Sequence, residues 1–202
     1  MNRNSLLLTF ILTLSFILSV NADNKCGEDC QWSIQNNILT ITGSGKMQNY
    51  FSDSEIHWRD SSKTVTQITI DGITYIGQKA FQNMPALKTV EMNGVDEIGE
   101  GAFYNTGLES ITIPKSVKKI DRNAFEQSSV LKTVTFEANS QLNEIEESAF
   151  KNCPKIESIT LPDSLEIIKD HVFEGCSNLH TISFGTPILL QSLQLHLSSR
   201  RF

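Results

Sequence analysis

With 202 residues and a net charge of −6, the chain is long enough for one domain of moderate size and lacks the basic excess of a nucleic-acid or anionic-lipid binder. Four cysteines are far too few for a disulfide-stapled miniprotein, and no N-x-S/T sequon offers a site for N-glycosylation.

The chain opens with Met1, Asn2, Arg3 and Asn4, a weakly positive head before the apolar run "LLLTFILTLSFILSV". Val20 and Ala22 place small uncharged residues on either side of Asn21. Residues 1–22 therefore read as a secretory signal peptide cut after Ala22. The apolar run is 15 residues long, short beside the roughly 20 that span a bilayer. Cleavage would place the mature chain outside the cell or on its surface, more negative by the loss of Arg3. No later segment is long and apolar enough to cross a membrane.

Residues 23–64 are expected to form an N-terminal cap. Residues 31–34 and 38–42 flank Gln35, Asn36 and Asn37, the pattern of a β-hairpin, and Trp32 and Trp58 would help it close the first coil of residues 65–184. Cys26 and Cys30 lie close together in an exported chain, so a small disulfide loop is favoured over free thiols. A metal site would need a second Cys/His pair at ligand spacing, which the sequence lacks. Gly43, Ser44 and Gly45 lack the rest of a phosphate-binding loop and read as a turn.

From residue 65 to 184 one pattern repeats about five times. Phenylalanines stand at 81, 103, 125, 150 and 173, each after Ala80, Ala102, Ala124, Ala149 or Val172. Five residues earlier come Ile76, Ile98, Ile120, Ile145 and Ile168. Three before those come Ile73, Val95, Val117, Leu142 and Leu165. Downstream, an aliphatic-x-x-aliphatic-x-aliphatic run returns, as in Leu108, Ile111 and Ile113 or Leu131, Val134 and Phe136. Val65, Ile68 and Ile70 open the series.

Length varies only after this run and just after the phenylalanine, as expected when loops absorb insertions around a packed interior. One such unit cannot bury its apolar side alone, so the units must stack and wind into a continuous core. "SITIP" reads as a strand, "SVKKI" as a second short extended piece, and "GEGAF" and "DRNAF" as single helical turns that swing Phe103 and Phe125 inward. Phe81, Phe103, Phe125, Phe150 and Phe173 would form a core ladder.

"LESITIPKSVKKIDRNAF" and "IESITLPDSLEIIKDHVFEGC" resemble the leucine-rich repeats of the BspA-like, or Treponema-type, surface antigens, and residues 26–47 resemble the segment before them. The resemblance implies a β-rich α/β leucine-rich-repeat solenoid with short strands and an N-terminal β-hairpin cap. It also implies an exported surface module engaged in adhesion to proteins or other cells. The pattern breaks in residues 185–202, where no further repeat follows Phe184. Leu190, Leu193 and Leu197 would make a helical face over the last strand, or "LQLHL" a covering strand.

Chemistry is sparse. His57, His171, His180 and His196 form no ligand pattern, no G-x-S-x-G is present, and the carboxylates are scattered, so neither an enzyme nor a cofactor is expected. Cys153 and Cys176 hold equivalent places in adjacent repeats. Packed thiols are favoured there, with a disulfide as the alternative.

Residues alternating with the buried strand positions must point outward. They include Thr89, Glu91, Ser110, Thr112, Thr133, Thr135, Ser158 and Thr160, a face dominated by hydroxyls and flanked by Lys88, Glu109, Lys132, Glu157 and His180. The plain account is β-propensity at exposed sites. The functional account is a recognition surface for a protein or glycan. A third expectation is a structural or coat protein that self-associates through its ends.

Overall fold

A computed structural model of the chain describes residues 24–185. The leader (residues 1–22) and the tail leucines Leu190, Leu193 and Leu197 lie outside the described residues. Strand β1 (Lys25–Gly27) pairs antiparallel with β2 (Cys30–Gln35), which pairs antiparallel with β3 (Ile38–Lys46). Gln35 faces Ile38, so the hairpin turn is two residues long. Asn36 and Asn37 hold φ of 51° and 64°, the left-handed pair such a turn requires and asparagine tolerates.

Strand β3 also pairs, in parallel, with β4 (Gln67–Ile76), which joins the hairpin directly to the first repeat. Beyond β4 the chain builds two ladders. The first carries the longer strands β5 (Thr89–Asn93), β7 (Ser110–Ile113), β9 (Thr133–Phe136), β11 (Ser158–Leu161) and β13 (Thr181–Phe184). The second stacks the two-residue strands β6 (Glu97–Ile98), β8 (Lys119–Ile120), β10 (Glu144–Ile145) and β12 (Ile167–Ile168) on the second half of β4. Every pairing within these ladders is parallel and links neighbouring repeats, so the chain is a β-rich solenoid of about five turns.

The phenylalanine segments differ from the sequence expectation. They are hydrogen-bonded turns, not helical turns, and the two 3-10 helices among the described residues (Asp53–Glu55 and Arg59–Ser61) both precede the repeats. Two residues before each phenylalanine the backbone is left-handed, at Lys79, Gly101, Asn123, Ser148 and His171. It is left-handed again two residues after, at Asn83, Asn105, Gln127, Asn152 and Gly175.

This alternation sends the N–H groups of every second residue toward the next coil. Lys79, Phe81 and Asn83 donate to the carbonyls of Glu100, Ala102 and Tyr104, each at 2.8 Å. Gly101, Phe103 and Asn105 repeat the pattern onto Arg122, Ala124 and Glu126. A helical turn would satisfy these groups within its own coil. The turn observed satisfies them between coils, which accounts for its adoption in a stack.

Inside this frame the aromatic rings form one column. Centroids lie 5.3 Å apart for Phe81 and Phe103, 5.4 Å for Phe103 and Phe125, 5.2 Å for Phe125 and Phe150, and 5.8 Å for Phe150 and Phe173. Trp58 extends the column by stacking on Phe81 at 5.6 Å, and Tyr50 and Trp32 pack edge-on against Trp58. The isoleucines Ile76, Ile98, Ile120 and Ile145 form a second fully buried column.

The two ends of the stack differ. At the start, Gln78, Ala80 and Gln82 have carbonyls with no earlier repeat to donate to them. Tyr50 N–H reaches Gln78 at 3.0 Å, the Trp58 indole N–H reaches Ala80 at 2.8 Å, and the Arg59 guanidinium reaches Gln82 at 3.3 Å. The cap thus reproduces the three donors of a missing coil. At the other end of the described chain, Phe173 and Phe184 are partly exposed, and Ile167 and Ile182 are about 40% exposed.

Cys26 and Cys30 are joined by a disulfide and fully buried at the start of the stack. Cys153 and Cys176 are free thiols. Each donates to the carbonyl of the phenylalanine one coil earlier, at 3.2 Å to Phe125 and 3.1 Å to Phe150, and the Ser128 hydroxyl treats Phe103 alike at 3.3 Å. Burial pushes both thiol pKa values up.

These buried thiols tie stability to pH. An unfolded thiol ionises near pH 8.5 while the folded one stays protonated, so stability holds below that pH and falls as pH rises through it. Thermal melts from pH 7 to 10 should show this fall. It should shrink in the Cys153→Ser/Cys176→Ser variant, which keeps a donor at each carbonyl; an unchanged alkaline loss would reject the assignment.

Candidate recognition face

The strand face is built by alternation. In β7 the side chains of Ile111 and Ile113 turn into the core while Ser110 and Thr112 turn out, and β9 and β11 do the same with Thr133 and Thr135, and Ser158 and Thr160. In β5, Thr89 and Glu91 are exposed around half-buried Val90. All eight candidate residues therefore lie on one side of the longer ladder and face solvent.

Register brings them together in pairs. Ser110 stands beside Thr133 and Thr112 beside Thr135, while Ser158 and Thr160 stand beside Thr181 and Ser183. The hydroxyls of Thr112 and Thr135 share a hydrogen bond of 3.0 Å, as do those of Thr160 and Ser183. The Gln67 amide donates to Glu91 at 3.4 Å. These bonds align the hydroxyls while leaving each with further donor or acceptor capacity. The face divides where the ladder is not hydrogen-bonded, between β5 and β7 and between β9 and β11.

Of the flanking set, Lys88 and Glu109 approach to 3.9 Å, and no other two of these residues come within ion-pair distance. The denser ion pairs sit on the short-strand and turn sides. There Lys119 lies 3.7 Å from Asp121 and 3.5 Å from Glu146, and Lys151 lies 3.0 Å from Glu174. Burial works against the Lys119 charge, but the carboxylates of Asp121, Glu146 and Glu144 outweigh it and raise its pKa. Exposed pairs of this kind contribute about 0.2–1 kcal/mol each.

Among the described residues no three His, Cys, Asp or Glu side chains are placed to hold a metal ion, and no helix is long and apolar enough to cross a membrane. Sequence reasoning missed a second surface feature. The left-handed residues two places after each phenylalanine carry amides in four coils: Asn83, Asn105, Gln127 and Asn152. Their recurrence was legible at the spacing of the phenylalanines, had the exposed columns been aligned as the buried ones were.

Comparison with known proteins agrees with this architecture. The fold is similar to that of the pneumococcal vaccine antigen PcpA, at 22% identity and a TM-score of 0.56, over 78% of this chain and 47% of that one. The chain thus spans about half the length of that protein. It is also similar to a T. pallidum leucine-rich repeat protein, at 21% identity and a TM-score of 0.57, over 76% of this chain and 78% of that one. No curated protein sequence matches the chain. The BspA type leucine rich repeat region matches in 6 copies across residues 58–180, more than half of the sequence, and the chain belongs to that family.

Proposed function

We propose that the protein is a non-enzymatic, exported surface module that binds a protein or glycan on cells or matrix through its strand face. The observation that carries this reading is the set of exposed hydroxyls from Thr89 to Thr160 on one side of the stack, held in register within the paired strands β7 and β9 and within β11 and β13. Solenoids present extended surfaces of this kind for recognition. Membership in a family of surface antigens supports the same setting. The face lacks exposed aromatic or arginine anchors, so affinity is expected to come from many modest contacts and to be low at a single site.

The test is binding of the purified protein to cells and extracellular matrix. Thr133→Lys with Thr135→Lys, at exposed positions, removes the hydroxyl bond between Thr112 and Thr135 and should cost about 0.5–1.5 kcal/mol, leaving the protein folded. The same double variant should abolish binding. Undiminished binding by a normally folded variant would contradict the reading.

A second reading has its own support. The end carrying β12 and β13 exposes Ile167 and Ile182 and, among the described residues, offers one edge of each strand unpaired. A structural role by end-to-end self-association would then replace discrete ligand binding. Light scattering on dilution separates the two, since growth of the particle with concentration favours assembly and a constant monomer mass favours the binding module.

A further inference from the structure

The amide column carries an internal control. Two columns of residues flank the phenylalanines, and the backbone makes the same demand of both. Before the ring, φ is 58° at Lys79, 59° at Gly101, 57° at Asn123, 60° at Ser148 and 61° at His171. After the ring, φ is 57° at Asn83, 53° at Asn105, 61° at Gln127, 57° at Asn152 and 76° at Gly175.

Left-handed backbone favours glycine and asparagine, and it explains some of both columns. It does not explain why the first column varies in chemistry while the second keeps an amide in four of its five coils, with Gly175 in the fifth. Gln127 sharpens the point. Glutamine has no special tolerance of the left-handed region, yet it preserves the amide.

The amides do not simply pair with one another. Asn105 donates to Asn83 at 2.9 Å, and the ladder stops there. From Asn105 onward the surface carries a shallow groove, largely open to solvent, of about 420 Å³, lined by Asn105, Gln127, Ser129, Asn152, Pro154 and Gly175. The last coil of the groove carries no side chain at Gly175, where the backbone is left-handed at φ 76°. None of the eight strand-face candidates lines it.

We propose that this groove is a binding site for a neutral, extended oligosaccharide, running along the stack with one sugar per coil. All six lining residues are uncharged in a chain that is 20% charged, which favours a neutral ligand over a sulfated or phosphorylated one. An amide carries two donor hydrogens and an acceptor oxygen, so Gln127, which donates to the Tyr104 hydroxyl, and Asn105, which donates to Asn83, keep capacity for sugar hydroxyls that both donate and accept. Coils recur at the strand spacing of roughly 4.8 Å, and a β-1,4-linked chain advances by a comparable step per sugar. Pro154 is the single apolar side chain in the lining, so the groove has no pocket for the side chains of an extended peptide. The lining also has no aromatic platform, and the affinity for one chain is therefore weak, with Kd in the millimolar range.

The proposal is tested on the full-length exported protein, labelled with nitrogen-15 and titrated with chitohexaose and cellohexaose. The expected result is saturable shifts of the side-chain amide signals of Gln127 and Asn152. Gln127→Gly with Asn152→Gly keeps the left-handed backbone at both places and removes both amides. It should retain the native melting temperature and weaken binding by about fivefold to tenfold per amide lost. Asn152→Asp, which keeps the shape and loses the donor, should weaken it as well.

Absent shifts would overturn the proposal, as would unchanged binding by the glycine variant. Tighter binding of a heparin hexasaccharide than of the neutral chains would do the same. Thr133→Lys with Thr135→Lys should leave these shifts intact, so the groove and the strand face fail or stand separately.

Discussion

Phe125→Ala is expected to lower stability by about 3–5 kcal/mol. The ring is fully buried and lies between Phe103 and Phe150, nearly parallel to both, with interplanar angles of 7° and 2°. Truncation leaves a cavity open to two coils at once. In a stack held mainly by contacts between neighbours, that weakens two interfaces. Phe173→Ala is the matched comparison, because that ring has one stacked neighbour and is partly exposed. It should cost clearly less. Urea unfolding of the two variants measures the difference, and equal, small losses would reject a shared interior.

Trp58→Ala should cost as much as Phe125→Ala, about 3–5 kcal/mol, through a different part of the molecule. Trp58 does two things at the start of the stack. Its ring continues the aromatic column onto Phe81, and its indole N–H satisfies the buried carbonyl of Ala80. Trp58→Phe separates the roles by keeping a ring and removing the donor. The carbonyl it leaves unsatisfied should cost about 1–3 kcal/mol. Hydrogen exchange should show the loss concentrated in the first coils, around Ile76 and Phe81, since each coil contacts only its neighbours. Even loss of protection along the whole chain would contradict a modular stack.

Most of the frame was legible in the sequence because the buried columns recur with little drift. The phenylalanine and isoleucine spacings fix which side chains meet across coils, and the alternation in "SITI" and "TVTF" fixes which point outward. The turn geometry was not legible. "GEGAF" and "DRNAF" suit a helical turn by composition, and the decisive partners of Gly101 and Asn123 are carbonyls one coil away. Local propensity carries no information about those partners.

The role of Trp58 was only half legible. Its place in the cap follows from its position, but donation to Ala80 depends on the stack beginning at that coil. The amide column was present in the sequence but easily credited to turn preference alone. Only the similar φ values of the two flanking columns in the first four coils separate backbone demand from surface chemistry.

Solution NMR of protein carrying protonated phenylalanine rings in a deuterated background tests the winding of the chain most directly. Ring-to-ring Overhauser contacts should join residues 81, 103, 125, 150 and 173 in unbroken order, each to the next and none skipping a neighbour. Rings that fail to contact their successors, or that contact several others around a common centre, would contradict the account.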